Sequence, residues 1–121
     1  MSEEPEVLGV VLQASGADAD LPWKAWQSSL NLEAELPGST VEIVVQGAAV
    51  ASLIAAHPTA KRLVEALRGG TGDVTVLACA NALRAHHIDP SDLAEGIDVV
   101  PAGIARLVTR QREGWSYVRI G

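Results

Sequence analysis

The chain has 121 residues, 48% hydrophobic and 20% charged, enough for a single domain over residues 1–121 whose core buries roughly 65% of the unfolded chain's surface. Nine Lys and Arg against fifteen Asp and Glu give a net charge of -6, the wrong sign for releasing counterions from a phosphate backbone, so no nucleic-acid partner is expected. The longest aliphatic run, Val10-Val11-Leu12, is far too short for a membrane span, and Met1-Ser2-Glu3-Glu4 is acidic where a secretory leader is basic, so the chain reads as cytoplasmic with no membrane partner.

Val7 to Gln13 is a continuous apolar run without strict alternation, the pattern of a strand buried on both faces. Asp20 to Glu35 then takes up helical spacing, with Trp23, Trp26 and Leu30 as its apolar stripe, Asp20 at the N-cap, Pro22 in the first turn and Pro37-Gly38 as the stop. Val41 to Gln46 is a second strand closed by Gly47, and Ala48 to Ala56 reads as a short helix that breaks before His57-Pro58. Thr59 to Arg68 is a helix with Leu63, Val64 and Leu67 inward and Gly69-Gly70 as its end. Val74 to Ala78 is a third strand that runs into a helix beginning near Cys79, since Cys79-Ala80-Asn81-Ala82-Leu83-Arg84 has good helix formers and no turn glycine. Asp89 to Leu93 is a turn with one helical turn, and Ile97 to Val100 a fourth strand. Gly103 to Arg112 is a helix whose spacing predicts Ile104, Leu107, Val108 and Gln111 on one face and Arg106 and Arg110 on the other, and Trp115 to Ile120 is a fifth strand. Five strands joined by helical connections specify an open α/β sheet with helices on both faces, its strand order left open. With no Phe in the chain, the core must be built from Val, Leu, Ile and Ala.

In such sheets, ligands and reactive groups gather at the carboxyl ends of the strands, where helix N-termini converge. The sequence places Ser15 and Gly16, Gln46 and Gly47, Cys79 and Asn81, and Pro101, Ala102 and Gly103 at those ends. Cys79 is the nucleophile among them, and a helix N-terminus favours its thiolate. A free cysteine is equally a common small core filler. Asn81 either caps its helix or fixes a ligand; Gln46 either reaches toward the thiol or is a polar strand terminus. As the chain's one cysteine, Cys79 cannot close an internal disulfide or a multi-thiolate zinc site, and no metal or cofactor is expected. His86 is seven residues beyond Cys79, about 10 Å along the helix axis, too far for a dyad, and His57 reads as a loop residue.

Other chemistries can be set aside. Phosphatase and rhodanese loops need five residues between Cys and Arg, whereas Cys79 and Arg84 enclose four. Receiver domains need an Asp ending the third strand, where this chain has Cys79, and neither G-x-G-x-x-G nor a Walker A sequence occurs.

The stretches Leu77-Ala78-Cys79-Ala80-Asn81-Ala82-Leu83, His87-Ile88-Asp89-Pro90 and Asp98-Val99-Val100-Pro101-Ala102-Gly103, with Arg110 to Tyr117 at the closing helix and strand, resemble the DsrE/DsrF-like family. Gln46-Gly47 stands where many members have His-Gly. The resemblance implies a three-layer α/β/α sandwich around a mainly parallel five-stranded sheet, assembly into a homo-oligomer, trimer or hexamer, and sulfur carried as a cysteine persulfide in relays with small sulfurtransferases. Residue by residue, it makes Cys79 the sulfur acceptor and Asn81 its neighbour in the motif, with Gln46, Gly47, Pro101 and Gly103 around it as the binding edge. Two other functions fit the same crevice: a non-catalytic oligomeric module that binds a small ligand or a protein tail, and a thiol redox sensor. The aliphatic segment Ala48 to Ala56 is a candidate subunit contact, or ordinary packing on the sheet.

Overall fold

The computed structural model describes residues 8–70 and 72–121. Its strands are β1 (Gly9–Ser15), β2 (Thr40–Gln46), β3 (Asp73–Cys79), β4 (Asp98–Val100) and β5 (Ser116–Ile120), and its helices α1 (Leu21–Glu35), α2 (Pro58–Gly69), α3 (Ala80–Ala85) and α4 (Gly103–Arg112). All five strands are parallel, in the order β4-β3-β2-β1-β5. The first connections step one strand at a time toward β4, and their right-handedness stacks α1, α2 and α3 on one face. The return from β4 to β5 runs the other way, so its helix α4 lands on the opposite face. The result is an α/β/α sandwich with unequal outer layers.

The thick side holds the main core, in which Val10, Leu12, Ile43, Val45, Val76 and Ala78 of the sheet meet Ala25, Trp26, Leu63 and Leu83 of the helices. On the thin side Val11, Val44, Leu77 and Val100 pack against Leu107 of α4, with Trp115 partly buried beside them. Gly9 is required here because a Cβ would sit 2.2 Å from the Trp115 indole.

Several local expectations change. Of the Trp23-Trp26-Leu30 stripe only Trp26 is fully buried, because α1 turns Leu21, Ala25, Trp26 and Ser29 inward and leaves Leu30 exposed. The side chain of Asp20 makes no cap bond; its backbone N–H instead donates to the Asp18 carboxylate at 2.8 Å. The segment after β2 is a 3-10 turn, Gly47–Leu53, with Ala49, Val50 and Leu53 buried inside the same chain, so its apolar side is spent on the core. His57 is the N-cap of α2, its Nδ1 accepting the N–H of Thr59 at 3.1 Å.

The largest correction concerns α4. Ile104 and Val108 face outward, Ile104 being 68% exposed, while Arg106 and Arg110 turn toward the sheet. The cause is Glu42, a carboxylate on the middle strand β2 beneath α4. Burying it without a cation would be prohibitive, so the helix rotates two guanidinium groups onto it.

Candidate functional site

Parallel register carries the last residues of the strands to one edge: Ser15 lies opposite Gln46 and Cys79 opposite Val100. Beyond them the chain must turn sharply. Gly47 does so with φ +68, and its Cα faces the Gly16 carbonyl so closely that a Cβ would stand 3.2 Å from that oxygen. That carbonyl accepts the N–H of Ala49 at 2.8 Å, which ties the exits of β1 and β2 together.

Cys79 is the final residue of β3 and the N-cap of α3, and it is 5% exposed. The donor reaching its sulfur comes from another helix than the sequence suggested. No α3 amide binds the side chain; the N–H of Gly103, first residue of α4, points at Sγ from 3.3 Å. An N–H directed at sulfur stabilises a thiolate more than a thiol.

Gly103 also brings Gln46 to the site. With no side chain there, the Gln46 carboxamide lies across the first turn of α4, where a Cβ on residue 103 would be 2.7 Å from Nε2 and 2.9 Å from Cδ. Gln46 in turn accepts on Oε1 from Nε2 of Gln13 at 2.8 Å, and Gln13 accepts on its own Oε1 from the hydroxyl of Tyr117.

Other residues singled out from the sequence fall elsewhere. Asn81 is exposed and its Oδ1 accepts from Arg84 one turn along α3, so it serves that helix's outer surface. Pro101 is exposed and borders, with Val100, Ala102, Ala105, Arg106 and Thr109, an open cavity of about 220 Å³. Among the described residues no group of three or more His, Cys, Asp or Glu side chains is placed to hold a metal. No helix there is long and apolar enough to cross a membrane.

Two features had gone unremarked in the sequence. Gln13 and Tyr117, polar atoms in strands otherwise read as packing, join Gln46 in one network. Glu42, 8% exposed, takes Nε and Nη2 of both Arg106 and Arg110 at 2.7–3.0 Å. Burial pushes its carboxyl up, but hydrogen bonds from the two arginines outweigh that and hold it at about 2. Arg110 also stacks over Trp115, 4.4 Å from the ring centroid. The signals were present: one acid inside the apolar run Val41-Glu42-Ile43, and two arginines at i and i+4.

No curated protein matches the chain. Among solved structures, a protein of unknown function, MTH1491 from Methanobacterium thermoautotrophicum, is 33% identical, superposes with a TM-score of 0.80, and the match covers 92% of this chain and 97% of that one. The YchN protein from E. coli shares the fold at 13% identity, with a TM-score of 0.73 over 93% of this chain and 98% of its own. The model of the DsrE/DsrF-like family matches residues 10–120, so this chain belongs to the DsrE/DsrF-like family.

Proposed function

We propose that the protein is a sulfur carrier in a relay, accepting sulfur as a persulfide on Cys79 and passing it to a partner's thiol. The observation that carries this reading is the Gly103 N–H aimed at Cys79 Sγ, at the strand edge where parallel sheets gather reactive groups. In the loading step the Cys79 thiolate attacks the outer sulfur of a donor persulfide; the donor's S–S bond breaks, its thiolate leaves, and a new S–S bond forms on Cys79. In the unloading step an acceptor thiolate attacks that outer sulfur and Cys79 leaves as thiolate. Neither step needs an oxidant or reductant beyond the two thiols. The sequence contains no second cysteine, so a resolving thiol must come from elsewhere, such as a small sulfurtransferase.

The carrier is further proposed to work as a homo-oligomer, supported by the thin side of the sandwich. One ten-residue helix lies over five strands there, and Ile104, Val108 and Tyr117 remain exposed.

The low exposure of Cys79 favours one other reading, a non-catalytic module that takes a small ligand at the same edge. Intact mass spectrometry after incubation with inorganic polysulfide, on the native chain and on Cys79→Ser, decides between them. Added sulfur on the native chain alone supports the carrier; none on either, or equal addition to both, supports the module.

A further inference from the structure

The two edges of the sheet are built differently. At one, β4 is three residues long, begins on the charge of Asp98 and is followed at once by Pro101, features that keep an edge strand from pairing with another chain. At the other, β5 runs for five residues with no proline and one charge, Arg119. Among the described residues β5 pairs with β1 alone, so alternate N–H and C=O groups along its outer side have no ladder partner. Ser116, Tyr117, Val118 and Arg119 are all exposed, Tyr117 by 40% and Val118 by 46%. One edge of the molecule is thus blunted and the other is left ready to pair.

The side chains of β5 suit a second copy of the same strand. Ile120 packs against the main core on the thick side, so by alternation Val118 and Ser116 share its face while Tyr117 and Arg119 lie on the other. Two β5 strands meeting antiparallel about a two-fold axis at Val118 set Val118 against Val118, Ser116 against Ile120 and Tyr117 against Arg119. Two β-branched side chains then touch on the axis, and a guanidinium lies beside a tyrosine ring on either side of it. Moving the axis to Arg119 would stand two guanidinium groups opposite each other. Moving it to Tyr117 would set Arg119 against Trp115, whose ring already carries Arg110 at 4.4 Å.

We infer that β5 is a self-docking edge, through which two copies of the chain pair antiparallel about Val118 and join their sheets into one of ten strands. The contact lies on the sheet edge rather than on the α4 face proposed above for assembly, and it does not depend on sulfur chemistry. Because the paired strands run in opposite directions, the two Cys79 residues stand at opposite ends of the joined sheet.

The test is disulfide trapping in solution on single-cysteine chains made in a Cys79→Ser background and oxidised with copper phenanthroline. Val118→Cys is expected to give a covalent dimer, because directly opposed antiparallel residues have Cα atoms roughly 4.5–5.5 Å apart, within disulfide reach. Ser116→Cys is expected to stay unlinked, since its two copies lie about 14 Å apart in this register. The Val118→Cys link should survive when Ile104→Asp and Val108→Asp are added. With Cys79 restored, Val118→Lys places two ammonium groups face to face and is expected to raise the dimer dissociation constant about tenfold in sedimentation equilibrium, while Val118→Thr changes it by no more than about threefold. Val118 is exposed, so both variants retain the fold. No link through Val118, equal linking through Ser116, loss of the link with the α4 substitutions, or a dissociation constant indifferent to the lysine would each overturn the inference. A native monomer whose edge is taken by residues 1–7 would do the same. A chain that links through Val118 yet takes up no sulfur leaves the pairing standing and the carrier reading fallen.

Discussion

The backbone N–H of Gly103 reaches the sulfur of Cys79 from 3.3 Å, although the two residues are 24 apart in the chain. The bond ties the start of α4 to the end of β3, so the thiol's environment is set by a helix on the other side of a strand and a loop.

Gly103→Ala should break this arrangement. The new methyl would lie 2.7–2.9 Å from Nε2, Cδ and Cγ of Gln46, and since the whole side chain is crowded, either Gln46 leaves or α4 lifts. The expected cost is about 1–3 kcal/mol in urea unfolding, the range for overpacking. Cys79 alkylation at neutral pH should slow at the same time. Unchanged stability together with an unchanged alkylation rate would contradict the crowding.

Glu42 makes a pH prediction whose sign follows from its folded-state value of about 2, below its ordinary 4.5. A depressed carboxyl contributes stability that is fully present above the unfolded value and lost as pH falls through the folded one. The native protein should therefore lose on the order of 3 kcal/mol between about pH 5 and pH 2 from this group. Glu42→Gln leaves two arginines facing a neutral amide, and should cost about 3 kcal/mol at pH 7 while flattening the acid limb of the profile. Thermal melts of both proteins across that window provide the check; parallel acid limbs would contradict the assignment.

Trp23 gives an expectation in the opposite direction. Its Nε1 is buried with no hydrogen-bond partner among the described residues, while the ring carries the Arg62 guanidinium 4.0 Å above its centroid. Trp23→Phe keeps an aromatic face for the cation and removes an unsatisfied donor, so stability should stay level or rise by about 1 kcal/mol. Trp23→Ala, which deletes the packing as well, should cost about 3 kcal/mol. Urea titrations would refute this account if the Phe variant lost as much as the Ala variant.

Much of the fold was legible because it follows from periodicity. Apolar runs located the strands, and Pro22, Gly69 and Gly103 marked helix ends to within a residue or two. The direction in which α4 faces was not, because its spacing groups Ile104 and Val108 with Leu107 against the arginine face, while the face turned inward is decided by Glu42, sixty-four residues earlier than Arg106. The site was half visible. Cys79, Gln46, Gly47 and Gly103 could be listed as strand-end residues, but their meeting depends on strand order, which one sequence does not reveal. Asn81 looked equivalent to Gln46 by the same rule, yet α3 rotates it outward to Arg84. Gln13 and Tyr117 become neighbours only because β5 returns to pair with β1.

Assembly on the thin side is testable with Ile104→Asp combined with Val108→Asp. Both positions are exposed, so the folded chain should change by no more than about 0.5 kcal/mol. Sedimentation velocity is expected to show a multimer for the native protein and a smaller species for the variant. A native monomer would overturn the assembly, and a multimer that ignores both charges would place the interface elsewhere.

The return of β5 to the flank of β1 also sets the entropic cost of closing the sheet. Val11 finds Tyr117 across more than a hundred residues of intervening chain, the longest closure in the sheet, and such pairings form slowly because their ordering cost precedes any reward. The Tyr117 hydroxyl that donates to Gln13 is thus brought there by the sheet's entropically costliest closure, and loss of the β1–β5 pairing would remove it from the network with Gln13 and Gln46.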